Sequence, residues 1–107
     1  MPQPAVSDRI EALRLLPTGE ALRWLYELVV EGCDAANADQ ARAVLVELIA
    51  SIDYQADEEI ARGFHRLYSY CLEQVEAGKF KRVGFIFKDL RDRMGQVMAE
   101  ETQAGEP

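Results

Sequence analysis

One histidine, two cysteines and a few carboxylate pairs are the only reactive side chains whose spacing invites a chemical reading, and each has a restricted repertoire. His65 is the single histidine, so a Ser-His-Asp or Cys-His arrangement has to be built on it, and a histidine cluster around a metal is impossible. It follows Phe64 on a surface-leaning position and reads as a solvated or hydrogen-bonded structural residue. Cys33 and Cys71 sit on apolar stripes without neighbouring ligand types, which makes them reduced, buried small hydrophobes. The pairs Asp57 with Glu58 and Glu100 with Glu101 fall at helix ends, where they answer the helix dipole and need no acid-base role. Lys79, Lys81 and Arg82 oppose the dipole at a helix start; they read as a solvated face, with an acidic partner segment as the other reading. Glycine-rich phosphate loops are absent. The expectation is a chain without catalytic, metal-binding or cofactor-binding residues, one that is not an enzyme and that works by holding another protein.

The whole sequence is compatible with that expectation. Its 107 residues suit one domain, spanning 1–107 with looser ends over 1–7 and 100–107, and 49% hydrophobic with 29% charged residues is a composition that folds. Twelve Lys and Arg against nineteen Asp and Glu give a formal charge of −7, which repels phosphate backbones and argues against nucleic acid. No apolar run is long enough for membrane insertion, and residues 1–7 lack a basic stretch followed by an apolar one, so a cytoplasmic location is expected.

The elements that must position a binding surface are helices throughout, and the fold class is all-α: an antiparallel bundle of four main helices with a short extra N-terminal helix. Ser7 is placed to cap that short helix over 8–16, and Pro17 cannot continue it. Thr18 then caps a helix to about Ala35, with Leu22, Leu25, Tyr26, Val29, Cys33 and Ala36 on one side. After the Asn37-Ala38-Asp39 turn, Ala41, Val44, Leu45, Leu48, Ile49 and Ile52 form the next stripe, ending near Asp53. Asp57, followed by two glutamates, is a strong helix start, and Ile60, Phe64, Leu67, Cys71 and Val75 are the expected core seam of that helix. Gly78 is a natural terminator. Val83, Phe87, Leu90, Met94 and Val97 then repeat in the heptad-like spacing of antiparallel bundles, and the tail from Glu100 has nothing to bury.

Some apolar residues stand outside these seams. Phe85 lies about 160° around its helix from Phe87, so the seam that buries one exposes the other. Trp24 and Leu28 are four apart on the side opposite Leu22, and Val46 is displaced from its own stripe. Either the short N-terminal helix, through Ile10, Leu13 and Leu16, folds back over Trp24 and Leu28, or these residues line grooves for a partner helix. On the second reading Trp24, Leu28, Val46, Leu72 and Phe85 are groove residues. Gly84, on nearly the same side as Gly95, lets a partner backbone approach, and Tyr54 and Tyr68 join the partner-binding set from the flanks of the seams. A homodimer would use the same residues.

The order of residues also resembles a known family. Thr18-Gly19-Glu20-Ala21-Leu22 with Leu25-Tyr26-Glu27, then Glu47 to Asp53, Glu59-Ile60-Ala61, Leu67 to Leu72 and Leu90-Arg91-Asp92-Arg93 together resemble the flagellin-export chaperone FliS family, over roughly residues 18–98. The chain looks like a divergent, shortened member, compressed between Tyr26 and Ser51 and carrying Met94 where the family often has tryptophan. The resemblance implies an antiparallel helical bundle in the cytoplasm that binds the C-terminal helical segment of flagellin, prevents premature polymerisation and hands its client to the export machinery. The rival expectation is a self-assembling adaptor or structural bundle that needs no client.

Overall fold

The computed structural model describes residues 5–104, with side chains described for 5–96. These residues form five helices and no strand: α1 (Val6–Leu13), α2 (Thr18–Asp34), α3 (Ala38–Ala50), α4 (Glu58–Glu76) and α5 (Phe80–Ala104). Helix α1 begins without a side-chain cap on Ala5, two residues ahead of the expected Ser7 cap, so the lead-in is shorter than the sequence suggested. It also stops early. Leu16 precedes Pro17, whose ring disfavours a helical residue before it, and the chain turns out through Leu15 and Leu16. Pro17 itself takes the cap position of α2, where its lack of an N–H costs nothing, and Thr18 is already helical.

The remaining boundaries have explicit chemical causes. The side chain of Asn37 accepts from the Gln40 N–H at 3.1 Å to open α3, and Asp57 accepts from the Ile60 N–H at 3.1 Å to open α4. Helix α2 closes in a Schellman arrangement, the Asn37 N–H donating to the Gly32 carbonyl at 2.7 Å and the Ala36 N–H to that of Cys33 at 3.1 Å. Helix α4 closes the same way through Lys79 and Gly78. The motif demands a left-handed residue, supplied by Gly78 at φ 77° but by Ala36 at φ 52°, which therefore lies outside α2 rather than on its apolar stripe. Replacing exposed Ala36 by glycine is expected to raise the unfolding free energy by about 1 kcal/mol, read as a higher urea midpoint. A lower midpoint would show that the alanine methyl contributes more than its backbone strain costs.

Helix α2 is the hub. It packs most extensively against α5, then against α3, and α1 lies across α2 and α3, while α4 packs mainly on α3 and sparingly on α5. At the α2–α3 crossing a Cβ on Gly32 would stand 3.1 Å from the backbone nitrogen of Ala41, a tight contact that any larger residue could make only if the helices moved apart by a few tenths of an ångström. Val29, Val44, Leu45, Leu48, Cys71, Val75, Val83 and Phe87 form the fully buried centre. Leu90 and Met94 extend the α5 seam as partly buried neighbours, and Val97 lies outside the residues with described side chains. Helix α5 itself continues past Glu100, where the seam was expected to give out, while residues 105–107 lie outside the described chain.

Candidate partner-binding groove

Four aromatic rings run from the core towards solvent. Tyr26 meets Phe87 edge-on at 5.4 Å between ring centroids, Phe87 stacks on Tyr68 at 6.1 Å, and Tyr68 in turn touches Phe64 at 5.6 Å. The first three rings are buried; Phe64 is not. With Ile60, one turn earlier, it stands on the inward-facing stripe of α4, yet the two are 36% and 58% exposed. Both were expected in the core seam, and the correction has a simple cause: no described side chain of α5 reaches this end of α4. The result is an open apolar groove of about 210 Å³, walled by Leu22, Ile52, Ile60 and Phe64, floored by Tyr26, Tyr68 and Leu48, and bordered by Ser51, Asp53 and Asp57.

A second cleft, of about 290 Å³, continues from the first, sharing Leu22 and Ser51 and passing beneath α1 along Ile10, Leu13 and Leu16. Ile10 of α1 is buried, and Val6 and Leu13 pack partly buried against the core. Two ion pairs add to them: Arg9 reaches Glu31 at 2.7 Å and Arg14 reaches Glu47 at 3.1 Å. The Arg9 hydrogen bond, followed by one from Gln40, holds the Glu31 carboxyl below its usual range. Ion pairs this exposed are worth little each, so one buried and two part-buried apolar side chains are what fasten α1, and lightly.

The residues expected to contact a partner divide sharply. Trp24, Val46, Tyr54 and Phe85 are exposed, Phe85 by 75%. Leu72 is partly buried against the core. Leu28 and Gly84 are buried and line no part of the groove, while Tyr68, buried too, meets it only at the floor. Leu28 faces inward because α2 is wrapped by α1, α3 and α5, so no side of its middle is free. Tyr68 faces Tyr26 of α2, their hydroxyl oxygens 2.8 Å apart. Gly84 faces α2 as well: a Cβ there would lie 3.4 Å from that of Cys33, which leaves no room for a partner backbone. The α1 helix does fold back as one expectation had it, but over α2 and α3, and Trp24 remains 44% exposed. Its ring lies under the guanidinium of Arg23, 5.6 Å from the centroid, beside the Arg91–Glu27 pair. Ile60 and Phe64 were missed as open residues because helical periodicity reports the side of a helix, not whether a neighbour extends that far.

The polar inventory supplies little reactivity. Burial pushes the Cys33 thiol up to about 11 and the Cys71 thiol up to about 12, with the Asp34 charge adding to the first, so both stay protonated and weakly nucleophilic. Burial likewise raises both core tyrosine hydroxyls above their usual value. Among the described residues no three or more His, Cys, Asp and Glu side chains are grouped to hold a metal, and no helix is long and apolar enough to cross a membrane. His65 is exposed.

Exchanging Phe85 for aspartate is expected to shift the stability by less than about 0.5 kcal/mol, since the ring gives up little burial. Thermal melts of the two proteins check this, and a loss of several kcal/mol would mean that the ring is packed.

Fold and site together define a class: a chain whose described residues are all-helical and carry an open apolar groove lined by core-type side chains. The chain matches no family model, no curated protein and no solved structure.

Proposed function

We propose that this chain is a client-holding protein of the flagellin-export chaperone type, an antiparallel four-helix bundle with a short additional helix. In the cytoplasm it receives the C-terminal amphipathic helical segment of flagellin, or of a flagellin-like client, and keeps it from polymerising before export. The observation that carries this reading is the incompletely covered inward face of α4: Ile60 and Phe64 occupy core positions yet stay 58% and 36% exposed, inside the stretch that resembles the FliS family. An amphipathic helix laid along the groove supplies the missing cover, each well-buried large side chain contributing about 1.5–3 kcal/mol before the cost of ordering the client. The lightly fastened α1 and its cleft extend the same apolar track.

Isothermal titration with a synthetic peptide spanning the C-terminal helical region of the host's flagellin tests the reading. Micromolar or tighter binding with a negative heat-capacity change supports apolar helix capture. No heat at several temperatures, with the protein folded, removes flagellin as the client.

Phe85 favours a second reading, because it is the most exposed aromatic residue and lies outside the groove. Self-association through the outer face of α5 would cover it without any client. Sedimentation separates the two: a dimer of the native chain that becomes a monomer on Phe85→Asp substitution supports self-assembly.

A further inference from the structure

Tyr26 of α2 and Tyr68 of α4 are 2% and 3% exposed, and a single hydrogen bond of 2.8 Å joins their hydroxyls. Two hydroxyls carry two protons, and one mutual bond uses one of them. Whichever tyrosine donates, the other keeps a proton for which no second acceptor stands among the described residues. Both residues line the groove. A buried donor without an acceptor is costly, so the groove floor is suited to an occupant that brings one.

The surroundings restrict what that occupant is. Leu22, Ile52, Ile60 and Phe64 require an apolar segment. The border carries Asp53 and Asp57 and, among the described residues, no cation, while Glu58, Glu59, Arg62 and Arg66 lie together outside it, Arg62 paired with Glu58. A carboxylate acceptor would be repelled there, and a lysine or arginine at the segment's edge attracted. A helix spends its own backbone carbonyls internally, so the acceptor must be a neutral side chain.

We infer that the groove reads a partner helix whose apolar stripe carries one Asn or Gln, its amide oxygen accepting the free tyrosine proton, with Lys or Arg at its edge facing Asp53 and Asp57. This rests on the client-holding reading and names the feature by which a client is selected. A site built to hydrogen-bond one group discriminates strongly against an analogue lacking it, whereas apolar walls alone discriminate weakly.

The test uses the full chain and the double variant Tyr26→Phe/Tyr68→Phe. Removing both hydroxyls together leaves no orphaned group, so the variant should melt with the parent. Each protein is titrated with the synthetic flagellin C-terminal peptide and with versions in which every Asn and Gln is changed in turn to Leu. The native chain should bind the parent peptide about tenfold more tightly than the variant does. One Leu substitution should cost the native chain about tenfold and the variant nothing. If the variant fails to fold, the peptide series on the native chain alone decides. Equal affinities throughout, or no Asn or Gln whose loss matters, overturn the inference and leave helix capture standing. Failure of the native chain to bind the parent peptide overturns the client reading, and this inference with it. Affinity that does not fall between about 0.05 and 0.5 M salt overturns the charged edge.

Discussion

Changing Ile60 and Phe64 together to serine is expected to weaken binding of a client helix by about 10- to 10²-fold while leaving the bundle folded. A partner can bury only what the free protein leaves open, 58% of Ile60 and 36% of Phe64, a loss of about 1.5–3 kcal/mol in all. Their contribution to the free protein is of similar size. Ile60 is 58% exposed, and Phe64, 36% exposed, packs on Tyr68. The cost to folding is therefore about 2 kcal/mol. Titration calorimetry paired with a urea melt measures both effects. Unchanged affinity would move the client elsewhere, and a collapse of stability would mean that the two residues belong to the core after all.

Phe87→Ala should do the opposite, and the expected size is about 3–5 kcal/mol of lost stability. The ring is fully buried and lies between Tyr26 and Tyr68, so its removal leaves a cavity where α2, α4 and α5 meet. Against a total stability of about 5–15 kcal/mol for a domain, that loss threatens the fold. Denaturation monitored by circular dichroism checks it, and a change below about 1 kcal/mol would show that the neighbouring rings close the gap.

These two substitutions mark how far the sequence alone could be followed. Asp57 and Gly78 carry the chemistry of a helix start and a helix end, and the structure uses both in those roles. Val83 and Phe87 are fully buried with Leu90 and Met94 partly so, as their spacing implies. Periodicity fixes the angle of a residue around its own helix, and these features depend on angle or local backbone chemistry. Burial depends also on how far the neighbouring helices extend and how many there are. Leu28 has a displaced angle but is covered because three helices surround α2. Phe64 has an inward angle but is part-open because no described side chain of α5 lines the groove beside it. The Tyr26–Tyr68 hydrogen bond spans 42 positions and had no local signal. Ala36 was misplaced for a different reason: a left-handed alanine at a helix terminus contradicts the preference that makes glycine legible there.

The same distinction separates the exposed residues. Trp24, Val46 and Phe85 are exposed, but they lie on different helices and line no part of the groove that Ile60 and Phe64 form. A client long enough to pass beyond that groove meets them only by following the surface. Capture within the groove is thus the central claim, and contact with the outer residues is secondary to it.

Chemical-shift mapping of the isotope-labelled chain, titrated with the flagellin C-terminal peptide, tests that claim most directly. Capture in the groove requires the largest changes at Leu22, Ile52, Ile60, Phe64 and Tyr68, spreading to α1 as the adjoining cleft responds. Changes confined to Phe85 and Val46, with the groove resonances unmoved, would contradict it.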